Sequence, residues 1–227
     1  MNETKFVSVA IDGPAGAGKS TIAKRLAAEL GYLYVDTGAI YRTVGYHMSL
    51  MGIGPKDADG IRRCIDDVNI RIEHQADGVQ HMILNGEDVT DRIRTPEMSQ
   101  MASGVATQSC VRDYLLEMQR ELAATHNVVM DGRDIGTVVL PNAQVKVYLT
   151  ASAEVRAERR WRELTAKGEN VRFEDVYTDV VKRDEQDMTR KIAPLKCADD
   201  AEVLDCSYLT IDQVVAEMKA IIRRKAG

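Results

Sequence analysis

The residues best suited to do chemistry form one glycine-rich segment, Gly13-Pro14-Ala15-Gly16-Ala17-Gly18-Lys19-Ser20. It matches the pattern G-x-x-x-x-G-K-S, in which glycines let backbone N–H groups wrap around a phosphate. Lys19 is expected to reach the β- and γ-phosphates of ATP, and the Ser20 hydroxyl to ligate Mg²⁺. An apolar run before the motif and an amphipathic pattern after it predict the strand and helix that such a loop requires. The segment therefore predicts an ATP-binding site.

A second polar segment, Asp131-Gly132-Arg133-Asp134, follows the apolar run Val128–Met130. A carboxylate directly after a buried strand is the Walker-B arrangement, so Asp131 is expected to hold Mg²⁺ directly or through water. Arg133 and Asp134 are then expected to project into the same crevice. The alternative is a turn that carries solvated charges.

Arg42 lies shortly after a further strand pattern that ends at Asp36-Thr37-Gly38. An arginine just past the carboxyl end of a strand next to the phosphate loop is well placed to bind the phosphate of an acceptor. A surface arginine on a helix is the alternative that the local pattern leaves open.

Arginines are concentrated between residues 156 and 190. Spacings of three and four place Arg156, Arg159 and Arg160 on one side of a helix, and Lys167–Asn170 predicts a turn at the tip of a lid. Arg183, Asp187 and Arg190 are predicted to share one helix face. Because acidic residues are interleaved throughout, a salt-bridged solvent face remains the alternative. The complete set is Arg156, Arg159, Arg160, Arg162, Arg172, Arg183 and Arg190.

These patterns distinguish between classes of nucleotide-binding protein. A GTPase switch needs a guanine-reading N-K-x-D segment, and the sequence contains none. A kinase of a small metabolite needs a second anion site and arginines that close over the transferred group, and candidates for both are present. A kinase of another small metabolite and a non-catalytic nucleotide-binding module stay open as alternatives.

The remaining pattern predicts the elements that position these residues. Five short apolar runs alternate with helical patterns, which predicts an α/β fold with a five-stranded parallel sheet flanked by helices. The predicted strands are Phe6–Ile11, Tyr32–Val35, Val128–Met130, Val145–Leu149 and Val203–Leu204. From Asn69 to Thr90, alternating residues with Asp77-Gly78 and Asn85-Gly86 turns predict a small antiparallel insert. Thr210 and Gln213 predict a capping box that opens the last helix, with Ile211 on its apolar face.

Composition limits the setting of the protein. The 227 residues suffice for one sizeable core, and a net charge of -5 argues against nucleic acid as a partner. No segment approaches the ~20 apolar residues of a membrane span. Four scattered cysteines suit a reducing compartment. The sequence leaves no long apolar stripe for a surface that would bind a second copy. We therefore expect a cytoplasmic monomer that binds neither membranes nor nucleic acid.

Four segments together resemble bacterial cytidylate (CMP) kinases of the nucleoside monophosphate kinase superfamily. They are residues 11–21, 36–42, 131–137 and 193–196, and the resemblance extends over essentially the whole chain. The first segment is common to many kinases, whereas the second and third at this spacing are specific. The resemblance implies a P-loop kinase fold, transfer of a phosphoryl group from ATP to CMP, and dCMP as a further substrate.

The resemblance also implies a role for individual residues. Ser103, Arg112 and Asp134 match positions that read cytosine. The chemistry is consistent, because a carboxylate accepts from the cytosine amino group but opposes the carbonyl of uracil. Thr37 stands where the family often has Ser and keeps the hydroxyl. The implied acceptor-site residues are Thr37, Arg42, Ser103, Arg112, Arg133, Asp134, Arg183, Asp187 and Arg190.

Further implied groups act on ATP. The phosphates are assigned to Gly13, Pro14, Ala15, Gly16, Ala17, Gly18, Lys19, Ser20 and Thr21, the metal to Ser20 and Asp131, and catalysis to Lys19, Arg133, Arg159 and Arg190. By the same resemblance the chain is expected to be a single kinase unit. Its core is expected to comprise residues 1–40, 105–155 and 190–227, with an acceptor-binding lobe at about 41–104 and a lid at about 156–189.

Overall fold

The computed structural model describes residues 6–74 and 80–227. The chain divides into two compact units, one formed by Met1–Leu33 with His126–Gly227 and the other by Tyr34–Thr125. The elements, in chain order, are β1 (Ser8–Asp12), α1 (Lys19–Leu30), β2 (Leu33–Asp36), α2 (Thr37–Leu50), α3 (Ala58–Cys64), β3 (Ile70–His74), β4 (Gln80–Leu84), β5 (Glu87–Asp88), α4 (Pro96–Val105), α5 (Ser109–Thr125), β6 (Val128–Gly132), β7 (Val145–Thr150), α6 (Ala153–Ala166), α7 (Phe173–Thr189), β8 (Glu202–Asp205) and α8 (Ile211–Ala226).

The main sheet has five strands in the order β2-β6-β1-β7-β8. β1 lies at its centre and pairs in parallel with β6 and β7, and β8 pairs in parallel with β7. Every residue of β1 and β6 is buried, as expected for strands that are covered on both faces. The prediction of a five-stranded parallel sheet is confirmed, with strand ends that differ from the predicted ones by up to two residues.

Two helices that pack against each other cover part of this sheet, α1 and α8. α1 buries Ile22, Ala23, Leu26 and Ala27 and ends at Gly31, whose φ of 68° is left-handed. α8 begins with the predicted capping box between Thr210 and Gln213 and buries five apolar residues. Ile211 was expected on that apolar face, but it is exposed, because it occupies the first turn of the helix.

The arginine-rich segment forms the helical hairpin of α6 and α7. The turn between them contains Gly168 at a φ of 82°, in agreement with the predicted turn at Lys167–Asn170. The prediction that Arg183, Asp187 and Arg190 share one helix face is wrong for Arg190. α7 ends at Thr189, and Arg190 is the capping residue, with an extended ψ of 141°.

The second unit contains an antiparallel sheet in the order β3-β4-β5. Its turn at Asn85-Gly86 has left-handed φ values of 50° and 91°, which is the predicted tight hairpin connection. The antiparallel insert is therefore confirmed, while the predicted Asp77-Gly78 turn lies outside the described residues. α2 packs closely on α4, since a Cβ atom at Gly45 would lie 2.8 Å from that of Met101.

Two further findings concern composition. No helix in residues 6–74 or 80–227 is both long and apolar enough to cross a membrane. The four cysteines are free, with Cys206 buried and the other three half-buried, as the scattered spacing indicated.

Candidate active site

The glycine-rich segment forms the connection between β1 and α1, so its position in the fold is the predicted one. Gly13 has a φ of 149°, and a Cβ atom there would lie 2.0 Å from the Leu149 carbonyl oxygen of β7. A side chain at this position would therefore displace the neighbouring strand. Gly16 and Gly18 have left-handed φ values of 76° and 86°, which only glycine adopts without strain. Thr21 lies exposed in the first turn of α1.

Lys19 is the first residue of α1 and is buried. Its Nζ atom donates to the Pro14 carbonyl oxygen at 2.7 Å, so the side chain lies folded back over the loop. Burial lowers the pKa of Lys19 to about 7, and the charge of Arg133 acts in the same direction, against the opposing effects of Asp131, Asp12 and Asp187. The lysine thus lies among the charged groups at the ends of β1 and β6.

Ser20 and Asp131 come together as the metal hypothesis requires. The Ser20 hydroxyl donates to Asp131 Oδ2 at 2.9 Å. Asp131 is buried at the end of β6, next to β1 in the sheet. A hydroxyl and a carboxylate oxygen at this spacing form a donor pair of the hard type that Mg²⁺ prefers.

Two arginine–carboxylate pairs follow β6. Arg133 Nε donates to Asp187 Oδ2 at 2.8 Å, and Arg190 Nη2 donates to Asp134 Oδ1 at 3.2 Å. The side chains of Asp134 and Arg190 are 7% and 9% exposed, so this pair is largely shielded from water. Four of the predicted acceptor-site residues therefore lie in two connected pairs within one unit.

Asp12 is a buried residue of this region that sequence reasoning missed. Its Oδ1 and Oδ2 atoms accept from the Ile135 and Gly136 N–H groups, each at 2.7 Å. Burial raises the pKa of Asp12 to about 6, although the two backbone hydrogen bonds lower it. In the sequence pattern, Asp12 only marks the end of an apolar run. An acid at the carboxyl end of a central strand is the signal that could have identified it.

Arg156 is a second residue whose role the sequence did not indicate. Its guanidinium donates to the Ala15 carbonyl oxygen at 2.9 Å and binds Asp184 in bidentate fashion at 3.0 and 2.6 Å. Both side chains are largely buried. One arginine of α6 therefore connects the phosphate loop to α7, a role that spacing alone did not reveal.

The other arginines of the hairpin divide into two groups. Arg159 Nη2 donates to the Cys206 carbonyl oxygen at 2.8 Å, and the Cys206 thiol donates to Ala17 of the loop. Arg183 is half-buried on α7. The exposed arginines form surface ion pairs with acids three or four residues away, so the salt-bridged alternative is correct for Arg160, Arg162 and Arg172.

The remaining predicted residues lie in the second unit. Asp36 caps α2 by accepting from the Ala39 N–H at 2.8 Å and accepts from Arg42 Nη2 at 3.1 Å. Among the described residues, the buried Arg42 Nε atom has no hydrogen-bond partner. Thr37 is buried at the start of the same helix.

Ser103 and Arg112 occupy α4 and α5 of this second unit. The Ser103 hydroxyl donates to the Ser99 carbonyl oxygen at 3.1 Å. Arg112 is buried, donates to the Ala106 carbonyl oxygen at 3.3 Å, and lies 5.7 Å from the ring centre of Tyr41. The guanidinium therefore makes a cation–π contact with this ring.

Comparison with known proteins gives a consistent result. The model of the cytidylate kinase family matches residues 9–224. A protein named cytidylate kinase from Carboxydothermus hydrogenoformans is 51% identical over 217 residues, which cover 96% of this chain and 97% of that protein. A protein of the same name from Caldicellulosiruptor bescii is 50% identical and covers 94% of each chain.

A solved structure shares the fold at much lower identity. An uncharacterized protein from Eubacterium ventriosum is 12% identical, with a TM-score of 0.55 over 97% of this chain and 99% of that one. At this identity the likeness concerns the fold alone.

Proposed function

Since the chain belongs to the cytidylate kinase family, we propose that it transfers the γ-phosphoryl group of ATP to CMP and forms ADP and CDP. Family membership over nearly the whole chain is the observation that carries this proposal. The loop at Gly13–Ser20, with buried Lys19 at the start of α1, supplies the ATP site that the reaction needs. dCMP is a further substrate in this proposal, by resemblance to the family.

The phosphate loop and Lys19 bind the triphosphate. ATP carries several negative charges where the loop glycines and the amino end of α1 meet, and a helix amino end favours anions. Lys19 leaves the Pro14 carbonyl and turns to the phosphates, whose charge favours its protonated form. Arg159 and Arg190 add positive charge as the group is transferred.

Arginines bind the acceptor phosphate. Arg42 donates to Asp36 through Nη2, and its Nε–H has no partner in the described part of the chain, so Nε can still donate to a phosphate oxygen. Arg133 is held by Asp187 and Arg190 by Asp134. A phosphate oxygen of CMP attacks the γ-phosphorus in line as the bond to the ADP oxygen breaks. That oxygen is already anionic, so the reaction requires no general base.

Base and sugar recognition uses the remaining implied residues. Asp134 accepts from the cytosine amino group, and Arg112 and Ser103 donate to the ring N3 and O2 acceptors. Arg183 and Asp187 bind the ribose, and the Thr37 hydroxyl contacts the nucleotide. Uracil would place a carbonyl oxygen against Asp134, and that mismatch underlies the choice of CMP over UMP.

Ser20 and Asp131 fit a magnesium ion, because their two oxygens form the donor pair at 2.9 Å described above. Mg²⁺ is commonly held by one or two protein groups while substrate phosphates supply further ligands. When bound, it would neutralise charge on the β- and γ-phosphates.

In the same proposal, three parts of the chain have different roles. Residues 156–189 act as the lid, about 41–104 as the acceptor lobe, and 1–40, 105–155 and 190–227 as the core. Closure of lid and lobe excludes water, which would otherwise hydrolyse ATP. We expect a cytoplasmic monomer without nucleic-acid or membrane partners.

A coupled assay of ADP release tests the proposal, with ATP and Mg²⁺ against CMP, dCMP, UMP, AMP, GMP and shikimate. We expect rapid turnover with CMP and dCMP and little with UMP. Turnover with another acceptor would keep the ATP site and remove the cytosine-reading roles. ATP binding without turnover of any acceptor would contradict the proposed kinase activity on CMP.

A further inference from the structure

The turn that follows Asp134 has an unusual geometry. Residues Ile135–Val139 form a single π-helical turn directly after the Arg133-Asp134 pair. The turn closes back on this pair, because the Val138 and Val139 N–H groups both donate to the Asp134 carbonyl oxygen, at 2.9 and 3.1 Å. Turns of this kind are rare and need support from their surroundings. The backbone position of Asp134 therefore depends on what holds this turn.

The support at the start of the turn comes from one side chain of the neighbouring strand. Asp12, the last residue of β1, accepts from the first two N–H groups of the turn with its two oxygens, at 2.7 Å each. Those N–H groups are at the amino end of a helical turn, where they have no partner within the turn. Asp12 is only 4% exposed, so water does not compete for them.

The far end of the turn is held separately. Lys146 of β7 donates to the Pro141 carbonyl oxygen at 2.5 Å and pairs with Asp200 at 2.8 Å. A Cβ atom at Gly136 would lie 3.2 Å from Lys146 Cδ and 3.3 Å from Asp12 Oδ2. Gly136 thus fits tightly between the side chains of Lys146 and Asp12.

We infer that Asp12 is a positioning residue for the acceptor nucleotide: its carboxylate fixes the turn 135–139 and, through it, the directions of Arg133 and Asp134. The inference rests on the proposed function, since that function gives these two residues their substrate. It assigns to Asp12 no contact with either nucleotide. The Asp12 carboxylate stays charged at neutral pH, because burial raises its pKa only to about 6.

The test compares Asp12→Asn with the matched core variant Val215→Ala. Asn keeps one acceptor oxygen but places an amino group against the second N–H, so the turn loses one bond. Val215 is buried in α8, away from the turn in sequence, and its truncation reports on a general loss of stability. Both variants are assayed for kcat and KM with CMP and UMP, and for ATP affinity by calorimetry.

We expect Asp12→Asn to lower kcat/KM for CMP on the order of tenfold or more, because small misplacements of positioned groups are costly. The ratio of kcat/KM for CMP to that for UMP should fall as well, while ATP affinity changes by less than about threefold. Val215→Ala should leave the CMP-to-UMP ratio unchanged. An Asp12→Asn protein whose ratio and KM for CMP equal those of the wild type would overturn the inference.

A second variant covers the case in which Asp12→Asn does not fold. Gly136→Ala keeps the charge of Asp12 but crowds the turn against Lys146 and Asp12. We expect the same loss of CMP efficiency and selectivity, with ATP affinity retained. Wild-type kinetics in this variant would contradict the positioning role. An inactive wild type would instead contradict the proposed function, so the two failures are distinguishable.

Discussion

At the scale of single residues, the predicted acceptor site in the first unit consists of charges that satisfy one another. Arg133 is held by Asp187 and Arg190 by Asp134. Such pairs fix the direction of each group before substrate arrives, which lowers the cost of ordering on binding. When a substrate binds one of these side chains, it must replace that side chain's ion-pair partner. Mutation of one residue in a pair therefore also changes the environment of the other.

Asp134→Asn tests the assignment of base recognition. The amide retains an acceptor oxygen but can also turn its amino group toward a uracil carbonyl, so the variant should discriminate less between CMP and UMP. We expect the ratio of their kcat/KM values to fall on the order of tenfold, with a smaller change in ATP affinity. Asp212→Asn, which removes an exposed carboxylate of α8 paired with Arg25, is the control. Unchanged discrimination in Asp134→Asn would remove this residue from base recognition.

Asp12 also predicts a pH dependence of stability. Its pKa is raised by burial from 3.8 to about 6, with Asp134 raising it further and Lys19 lowering it. The folded protein therefore binds this proton more tightly than the unfolded chain. The stabilisation from the protonated form is present below about pH 4 and is lost as pH rises through about 6.

The measurement is urea unfolding of the wild type and Asp12→Asn between pH 4 and pH 7. We expect the wild-type free energy of unfolding, taken relative to Asp12→Asn, to fall with rising pH by on the order of 2 kcal/mol. A difference between the two proteins that stays constant with pH would show that Asp12 does not titrate in this window.

At the scale of elements, the sequence predicted the features that depend on neighbouring residues and missed those that depend on contacts between residues far apart in the chain. Buried strands such as Val128–Gly132 read as apolar runs, and the Thr210–Gln213 capping box is a local pattern, so both were predictable. The π turn at Ile135–Val139 was not, because it depends on a carboxylate more than a hundred residues earlier in the chain. The Arg156–Asp184 pair was missed for the same reason, since its partners are set by packing and not by spacing.

The strand–loop junction at Gly13 gives a prediction with a built-in control. Gly13→Ala would place a Cβ atom 2.0 Å from the Leu149 carbonyl oxygen, in addition to an unfavourable backbone conformation. Gly31→Ala also has a positive φ, but in the described part of the chain no atom outside its immediate neighbours lies within 4 Å of its Cβ position. We expect Gly31→Ala to lower the free energy of unfolding by about 1 kcal/mol. Gly13→Ala should lower it several times more and should also abolish ATP binding. Urea unfolding and calorimetry check this, and equal losses in the two variants would contradict the clash.

The link between the phosphate loop and α7 predicts a difference between buried and exposed ion pairs. Arg156→Met leaves Asp184 without its partner in a site where the two side chains are 5% and 14% exposed. We expect a loss of about 3 kcal/mol, because an uncompensated charge stays buried. Arg172→Met breaks a pair that is 76% and 58% exposed and should change stability far less than Arg156→Met does, because water screens exposed ion pairs. Urea unfolding of both variants decides the point, and similar losses would refute the structural role of Arg156.

At the scale of the whole molecule, a chain with a net charge of -5 binds substrates that are themselves anions. Global attraction does not account for this, so the positive groups have to be concentrated where phosphates lie. The structure places Lys19, Arg133, Arg156 and Arg190 in the first unit and Arg42 and Arg112 in the second. The sequence-based division into core, lobe and lid remains a prediction, because the two compact units of the chain do not mark off residues 156–189 as a separate body.

Amide hydrogen exchange of the whole protein tests which of these positive residues bind ATP and which bind CMP. The ATP-binding segment, residues 13–21, belongs to the first unit, whereas residues 37–42 and 103–112 of the predicted CMP site belong to the second. ATP alone should therefore slow amide exchange in the first unit and leave the second nearly unchanged. CMP should slow exchange in residues 37–42 and 103–112, because bound ligand suppresses local opening. UMP at the same concentration is the control and should protect these segments less. If CMP protects only the first unit, Arg42, Ser103 and Arg112 do not bind it. The acceptor site then has to be sought among its members in the first unit, which are Arg133, Asp134, Arg183, Asp187 and Arg190.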